Sequence, residues 1–275
     1  LNIASLDTLT ISSPNLDRTR PAEFVISFPN YQSPFGRPNY PPDKSSDGNR
    51  YEASSLDGAF GYDAVISRYS EDGTPLWVTI LGGTSSDFSG GITPVADGLV
   101  LTGQTSSPDF PVSINAPSSK LLAQRTPFFT FLNRDSGVLR SSTYSPLNID
   151  SGIDNLIPAS SRDVIAGGIS NPSPDKYSGF LLRWRPTENL FLYNLSLPDP
   201  VRNLTNGTSG TTYYATFSSP RLSVAAINES GAPVGRPANY ATPTDQPQIS
   251  GIRLLPAADQ SIFALYTMGD ARSTT

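Results

Sequence analysis

Between residues 62 and 111 short apolar runs alternate with turn residues: Tyr62-Asp-Ala-Val-Ile-Ser-Arg-Tyr69, Pro75-Leu-Trp-Val-Thr-Ile-Leu81, Gly91-Ile-Thr-Pro-Val95 and Leu99-Val-Leu-Thr-Gly103. Asp72-Gly73, Gly82-Gly83 and Asp97-Gly98 punctuate them. Runs of this length rich in β-branched and aromatic residues, bounded by Gly, Asp and Pro, predict strands joined by tight turns. Four such strands are what one blade of a β-propeller requires, because each blade is buried between two neighbours.

The pattern recurs in blurred form three more times. First turns fall at Asp72-Gly73, Ser136-Gly137, Glu188-Asn189 and Ser230-Gly231. Second turns fall at Asp97-Gly98, Arg162-Asp163, Ser209-Gly210 and Ala258-Asp259. Spacing within a unit is steadier than spacing between units, as expected when strands hold their length and connections vary. The reading is an all-β chain of four-stranded antiparallel blades, residues 62 to 110 forming one blade, with an evenly spaced β-sandwich as the alternative. The expected core includes Val65, Ile66, Leu76, Trp77, Ile92, Val100, Leu101, Phe129, Val164, Ile165, Leu181, Trp184, Phe217, Val224, Ile252 and Phe263.

Asp63-Ala-Val-Ile-Ser-Arg-Tyr69, Ile80-Leu-Gly-Gly83, Thr102-Gly-Gln-Thr-Ser-Ser107 and Asp109-Phe-Pro111 together resemble the bacterial seven-bladed propeller repeat of the SBBP type. The resemblance is specific over residues 62–111. The three later units lose both the Leu-Gly-Gly and the Asp-Phe-Pro. It implies an extracytoplasmic, non-catalytic propeller module, and the family shares no catalytic residues that could be carried over.

Thr8-Leu-Thr-Ile-Ser12 and Phe24-Val-Ile-Ser-Phe28 resemble the second half of a unit. The count is therefore four whole units plus a half, read as a single propeller domain over residues 1–275 or as part of a larger ring. Bare edges invite aggregation, so residues 8–28 are expected to pair with strands from the C-terminal end or from another chain. The stretch from Pro34 to Leu56 reads as a long surface loop between units.

Composition agrees: 26 Pro, 22 Gly and only 16% charged residues leave no stretch with helical apolar spacing. The absence of Cys and His excludes disulfides, thiolate and imidazole metal sites, and the Ser-His-Asp triad. A net charge of −5 argues against nucleic acid as the main partner. No run approaches the roughly 20 apolar residues of a membrane helix.

Candidate sites are sparse. Asp43, Ser45 and Asp47, with Gly48 next, resemble the first half of a calcium loop, but Ser54 stands where the bidentate Glu belongs. A plain polar turn explains the same residues. Asn194, Asn203, Asn206 and Asn228 open glycosylation sequons, the middle pair at an expected exposed turn, and chance in a Ser/Thr-rich chain explains them too. Asp63, Asp87, Asp154 and Asp175 sit at or beside strand starts, where a carboxylate pair could cleave a glycosidic bond. Trp77, Trp184, Tyr213 and Tyr214 could stack on sugars, or simply pack between blades.

No complete acid/base set appears. The function expected is a non-catalytic extracytoplasmic module of a cell-surface or extracellular structure, binding protein partners or surface glycans, without nucleic acid, membrane span or cofactor. The alternatives are a structural subunit of a larger complex or filament, and a carboxylate-dependent glycan-active enzyme.

Overall fold

The structure is a computed structural model. It describes residues 9–10, 24–26, 43–44, 49–58, 61–96, 98–148, 150–160, 162–173, 176–218, 220–241, 249–257 and 261–268. Every regular element among them is a strand. Contacts divide the chain into two units, Leu1–Asn148 with Pro186–Leu190, and Ile149–Arg185 with Phe191–Thr275.

In the first unit, β1 (Leu9–Thr10), β2 (Phe24–Ile26), β3 (Asp43–Lys44), β4 (Arg50–Gly58), β5 (Gly61–Tyr69) and β6 (Pro75–Leu81) form one sheet ordered β1-β2-β6-β5-β4-β3. Four more strands, β7 (Asp87–Val95), β8 (Gly98–Thr105), β9 (Thr126–Leu132) and β10 (Leu139–Tyr144), form an antiparallel meander. All positions of Thr126-Pro-Phe-Phe-Thr-Phe-Leu132 are buried, which explains why β9 reads as a nearly continuous apolar run rather than an alternating one. The core between these sheets holds Ile66, Trp77, Leu99, Leu101, Phe110 and Phe128.

The second unit repeats the meander. One sheet runs β11 (Asp150–Pro158), β12 (Val164–Ser173), β13 (Lys176–Arg185), β14 (Leu190–Leu197), and the next runs β15 (Val201–Asn206), β16 (Thr212–Ser218), β17 (Arg221–Ile227), β18 (Ala238–Ala241). A final pair, β19 (Ile249–Pro256) and β20 (Ile262–Met268), is two-stranded among the described residues. The leading strands β11, β15 and β19 of these sheets lie against one another in succession. Two apolar clusters fill the spaces, one around Ile165, Leu181 and Val201 and one around Ala215, Leu222 and Leu254.

The expected turns fall between paired strands. Gly73, Gly137 and Gly231 take left-handed φ of 86°, 70° and 84°, and Asn189 and Ser209 do so without being glycine. Right-twisted hairpins need such φ values, which is why Gly and Asn mark the turns.

The sheet boundaries differ from expectation. Residues 62–110 do not form one sheet: β5 and β6 belong to the first sheet, β7 and β8 to the next. The free edge of β6 is taken by β2, with Phe24 opposite Ile80, so the chain leaves the sheet at Gly82-Gly83 and β7 lies over β4 and β5. That pairing also differs from the role expected of the N-terminal segment: its described strands pair with each other and with β6, and not with a described strand of the C-terminal end. Nor is Pro34 to Leu56 all loop. β4 pairs with β5 along its whole length. Its core residues Tyr51 and Ala53 are separated by Glu52, which faces Arg50 at 2.8 Å, and followed by Ser54 and Ser55, so the strand reads as polar. Leu76 and Phe263 are exposed, at 37% and 60%, not in the core.

Candidate functional site

The motifs of residues 62–111 meet at one corner, where the chain passes from β6 to β7. Asp87, at the start of β7, accepts hydrogen bonds through Oδ2 from the Gly83 N–H and the Ser107 hydroxyl, both at 2.8 Å. Asp109 accepts from the Thr84 N–H at 2.8 Å and the Thr84 hydroxyl at 3.0 Å. The Ser107 hydroxyl oxygen also accepts the Ser85 N–H at 2.9 Å. Beside this latch Phe110 stacks on Phe128 at 4.4 Å, and the Tyr144 hydroxyl donates to the Ser107 carbonyl at 2.7 Å. Asp109 and Phe110 of the Asp-Phe-Pro segment thus hold the corner at which Leu-Gly-Gly ends.

The two glycines lie hard against neighbouring side chains. A Cβ on Gly82 would fall on the Asp63 carboxylate, and one on Gly83 would come within 2.5 Å of Asp109 Oδ1 and the Ser107 Cβ. Asp63, Gly82-Gly83 and Asp109 therefore form one contacting set. The later units carry neither Leu-Gly-Gly nor Asp-Phe-Pro.

Burial pushes the Asp87 carboxyl up to about 6. Hydrogen bonds from Thr105, Ser107 and Gly83 oppose the rise, and the Asp63 charge adds to it. Asp63 is raised by burial alone. Asp87 Oδ1 is buried without a hydrogen-bond partner, as suits a carboxyl that holds its proton below about pH 6. Although Asp63 and Asp87 are neighbours, Asp87 is fully buried and cannot touch a substrate. Asp63 beside it is partly exposed, so the two do not form a pair of open carboxyls of the kind that flanks a glycosidic bond.

The other expected site residues are scattered. Asp154 on β11 faces Arg202 at 3.7 Å. Asp175, Ser45 and Asp47 lie outside the described residues, and the backbone of Asp43 pairs with Tyr51 in β3. No cluster of acidic side chains able to hold a metal occurs among the described residues. Trp77 and Trp184 are buried at 2% and 0% exposure, so neither can stack on a sugar. The Trp77 indole instead donates to the Arg134 carbonyl at 3.0 Å.

Of the sequon residues, Asn194, Asn206 and Asn228 are exposed. Asn203 is not in an exposed turn: it lies within β15, half-buried, and its Oδ1 accepts the Leu254 N–H at 3.0 Å. Asn228 Oδ1 receives the backbone N–H groups of Ser230 and Ala232, which shapes the β17–β18 turn.

Two features of the second unit escaped the sequence reading. Arg183 and Arg185, alternate residues of β13 and hence on one face, both bind Asp163, at 2.8 Å each. Burial would raise Asp163, but the hydrogen bonds and charges of Arg185 and Arg183 outweigh it and hold the carboxyl below its usual range. Two arginines spaced by two at the end of the apolar run Phe180-Leu-Leu182 were the visible signal. The second feature is a cleft of about 250 Å³ lined by Tyr213, Val224, Ala226, Arg236, Tyr240 and Ile262. No protein-family model matches this chain, and no curated protein matches it at a significant level.

Proposed function

We propose that the successive sheets are blades of a β-propeller of the SBBP type, and that the chain works outside the cytoplasm as a non-catalytic module that binds or assembles with protein or glycan partners. The observation that carries this reading is the latch at Gly82-Gly83. The residues that look most like a motif are engaged in closing a corner between two sheets, and the most perturbed carboxylate is sealed from solvent. The succession of leading strands β11, β15 and β19 supports the propeller, since blades around an axis bring their first strands together.

The test is a turnover assay on a panel of polysaccharides, run beside light scattering and electron microscopy of the purified chain. The expected result is no turnover and ring-shaped particles. Turnover abolished by Asp63→Asn would replace this reading with a carboxylate-dependent enzyme, and a particle of two face-packed sheets without an axis would remove the propeller.

A further inference from the structure

We propose that Asn228, in the β17–β18 turn, carries an N-linked sugar, and that the geometry of this turn selects it over the chain's other sequons. This rests on the extracytoplasmic reading above and adds a covalent modification to it.

The turn from Asn228 to Ala232 is closed on itself. The Asn228 N–H donates to the Ala232 carbonyl at 2.9 Å, and the Gly231 N–H to the Asn228 carbonyl at 3.0 Å. Asn228 Oδ1 accepts the N–H groups of Ser230 and Ala232, each at 3.0 Å, and the Ser230 hydroxyl at 2.8 Å. Neighbouring strands fix its other side. Arg183 of β13 donates to the Glu229 carbonyl at 2.6 Å, and a Cβ on Gly231 would stand 3.0 Å from the Tyr193 ring of β14. Asn228, Glu229 and Ser230, the three residues of the sequon, are all exposed.

N-linked modification takes place at the Asn Nδ2 and requires the hydroxyl two residues on. A bond forms between Nδ2 and the anomeric carbon of a glycosyl pyrophosphate. The bond from that carbon to the pyrophosphate oxygen breaks, the leaving group keeps its electron pair, and Nδ2 gives up one proton. The turn engages Oδ1 three times and leaves Nδ2, the reacting atom, without a partner among the described residues. The same contacts hold the sequon hydroxyl against the reacting amide. Oδ1 keeps its lone pairs once Nδ2 is glycosylated, so the turn survives the modification.

Each of the other sequons lacks one of these features. Asn203 lies within β15, half-buried, with its Oδ1 taken by the Leu254 N–H. Asn206 gives its Nδ2 to the Pro158 carbonyl. Asn194 is exposed but stands in the extended strand β14, where Ser196 is carried about 7 Å along the chain.

The test is peptide mapping by mass spectrometry on the full chain purified from the cells that make it. An amidase acting in heavy-oxygen water first turns each glycosylated Asn into labelled Asp. Asn228 is expected to be labelled, and Asn194, Asn203 and Asn206 unlabelled. Ser230→Ala should abolish the label with the melting temperature retained, since both backbone bonds to Oδ1 remain. Ser230→Thr should restore the label. The proposal is overturned if Asn228 is unlabelled or if Ser230→Ala keeps the label. It is also overturned if another sequon is labelled as fully as Asn228, because the sugar would then be added before the turn forms. A chain confined to the cytoplasm removes the extracytoplasmic reading, whereas a chain found outside with Asn228 unlabelled removes this proposal alone.

Discussion

Asp87 in the first unit and Asp163 in the second are both closed off from solvent, at 0% and 1% exposure, and yet they are shifted in opposite directions. Each sits at or beside the start of a strand and each holds a turn in place. Their donors differ in charge. Asp87 is met by a backbone N–H and hydroxyl groups, which stabilise a carboxylate without supplying charge, and burial wins. Asp163 is met by two guanidinium groups, one of them itself buried, and the charges win. Burial alone therefore does not identify a catalytic carboxyl in this molecule; the charge of what surrounds it decides its protonation.

The largest effect should follow from breaking the charged pair. Asp163→Ala leaves Arg183, 7% exposed, without its counter-charge, and about 3–5 kcal/mol of stability should be lost in denaturant titration. Replacing Asp163, Arg183 and Arg185 together by leucine and methionine should recover most of that loss, because the penalty comes from an orphaned charge rather than from a missing attraction. A cost below about 1 kcal/mol for Asp163→Ala would mean that water reaches the arginines, and the contrast with Asp87 would fall.

The neutral latch is tested by pH. The folded-state value of Asp87 is raised to about 6, so between about pH 4 and pH 6 the folded chain keeps a proton that the unfolded chain has released. Stability from this group is complete below the unfolded value and is lost as pH rises through the folded one. By linkage the loss is on the order of 2–3 kcal/mol at neutral pH. Asp163 runs the other way: its contribution is present above the unfolded carboxylate value and is lost as pH falls through its lowered folded value. Urea midpoints measured from pH 3 to pH 8 should show both limbs, and Asp87→Asn should flatten only the one above pH 4. An unchanged profile in Asp87→Asn would show that Asp87 is ionised and solvated.

Steric necessity at the corner gives a smaller effect. Gly82→Ala drives a methyl group onto the Asp63 carboxylate and should cost about 1–3 kcal/mol. Asp63→Ala in the same chain should return much of it, a coupling that a double-mutant cycle reads directly.

Turn positions were legible because few residues adopt left-handed φ cheaply, and Gly73, Gly137, Asn189 and Gly231 announce themselves. The buried apolar runs were legible for the same local reason: Val65, Ile66, Val100, Leu101, Val164 and Leu181 are all in the core. Which hairpins share a sheet was not legible. That is decided when Phe24–Ile26 takes the edge of β6, a pairing between segments about fifty residues apart that carries no local mark. The corner stood out as a motif, but only coordinates reveal that Asp87 and Asp109 close it by accepting backbone N–H groups. Phe263 looked like core because Ile262-Phe-Ala-Leu-Tyr266 is a continuous apolar run; such a run does not say which face a neighbour covers, and Phe263 is 60% exposed.

The smallest effect belongs to a third carboxylate, which stands between the other two. Asp154 is raised by burial, with Arg202 opposing at 3.7 Å, and both side chains are about 40% exposed, at 39% and 40%. A pair so open to water gains little from Coulomb attraction and still restricts two side chains. Arg202→Ala should therefore cost no more than about 0.5 kcal/mol, and 1 M salt should erase even that. The same substitution should move the Asp154 carboxyl further up, since the opposing charge is gone and the burial remains. A loss approaching that of Asp163→Ala would mean that partial exposure does not screen this pair, and the rule drawn from Asp87 and Asp163 would need a distance term as well as a donor charge.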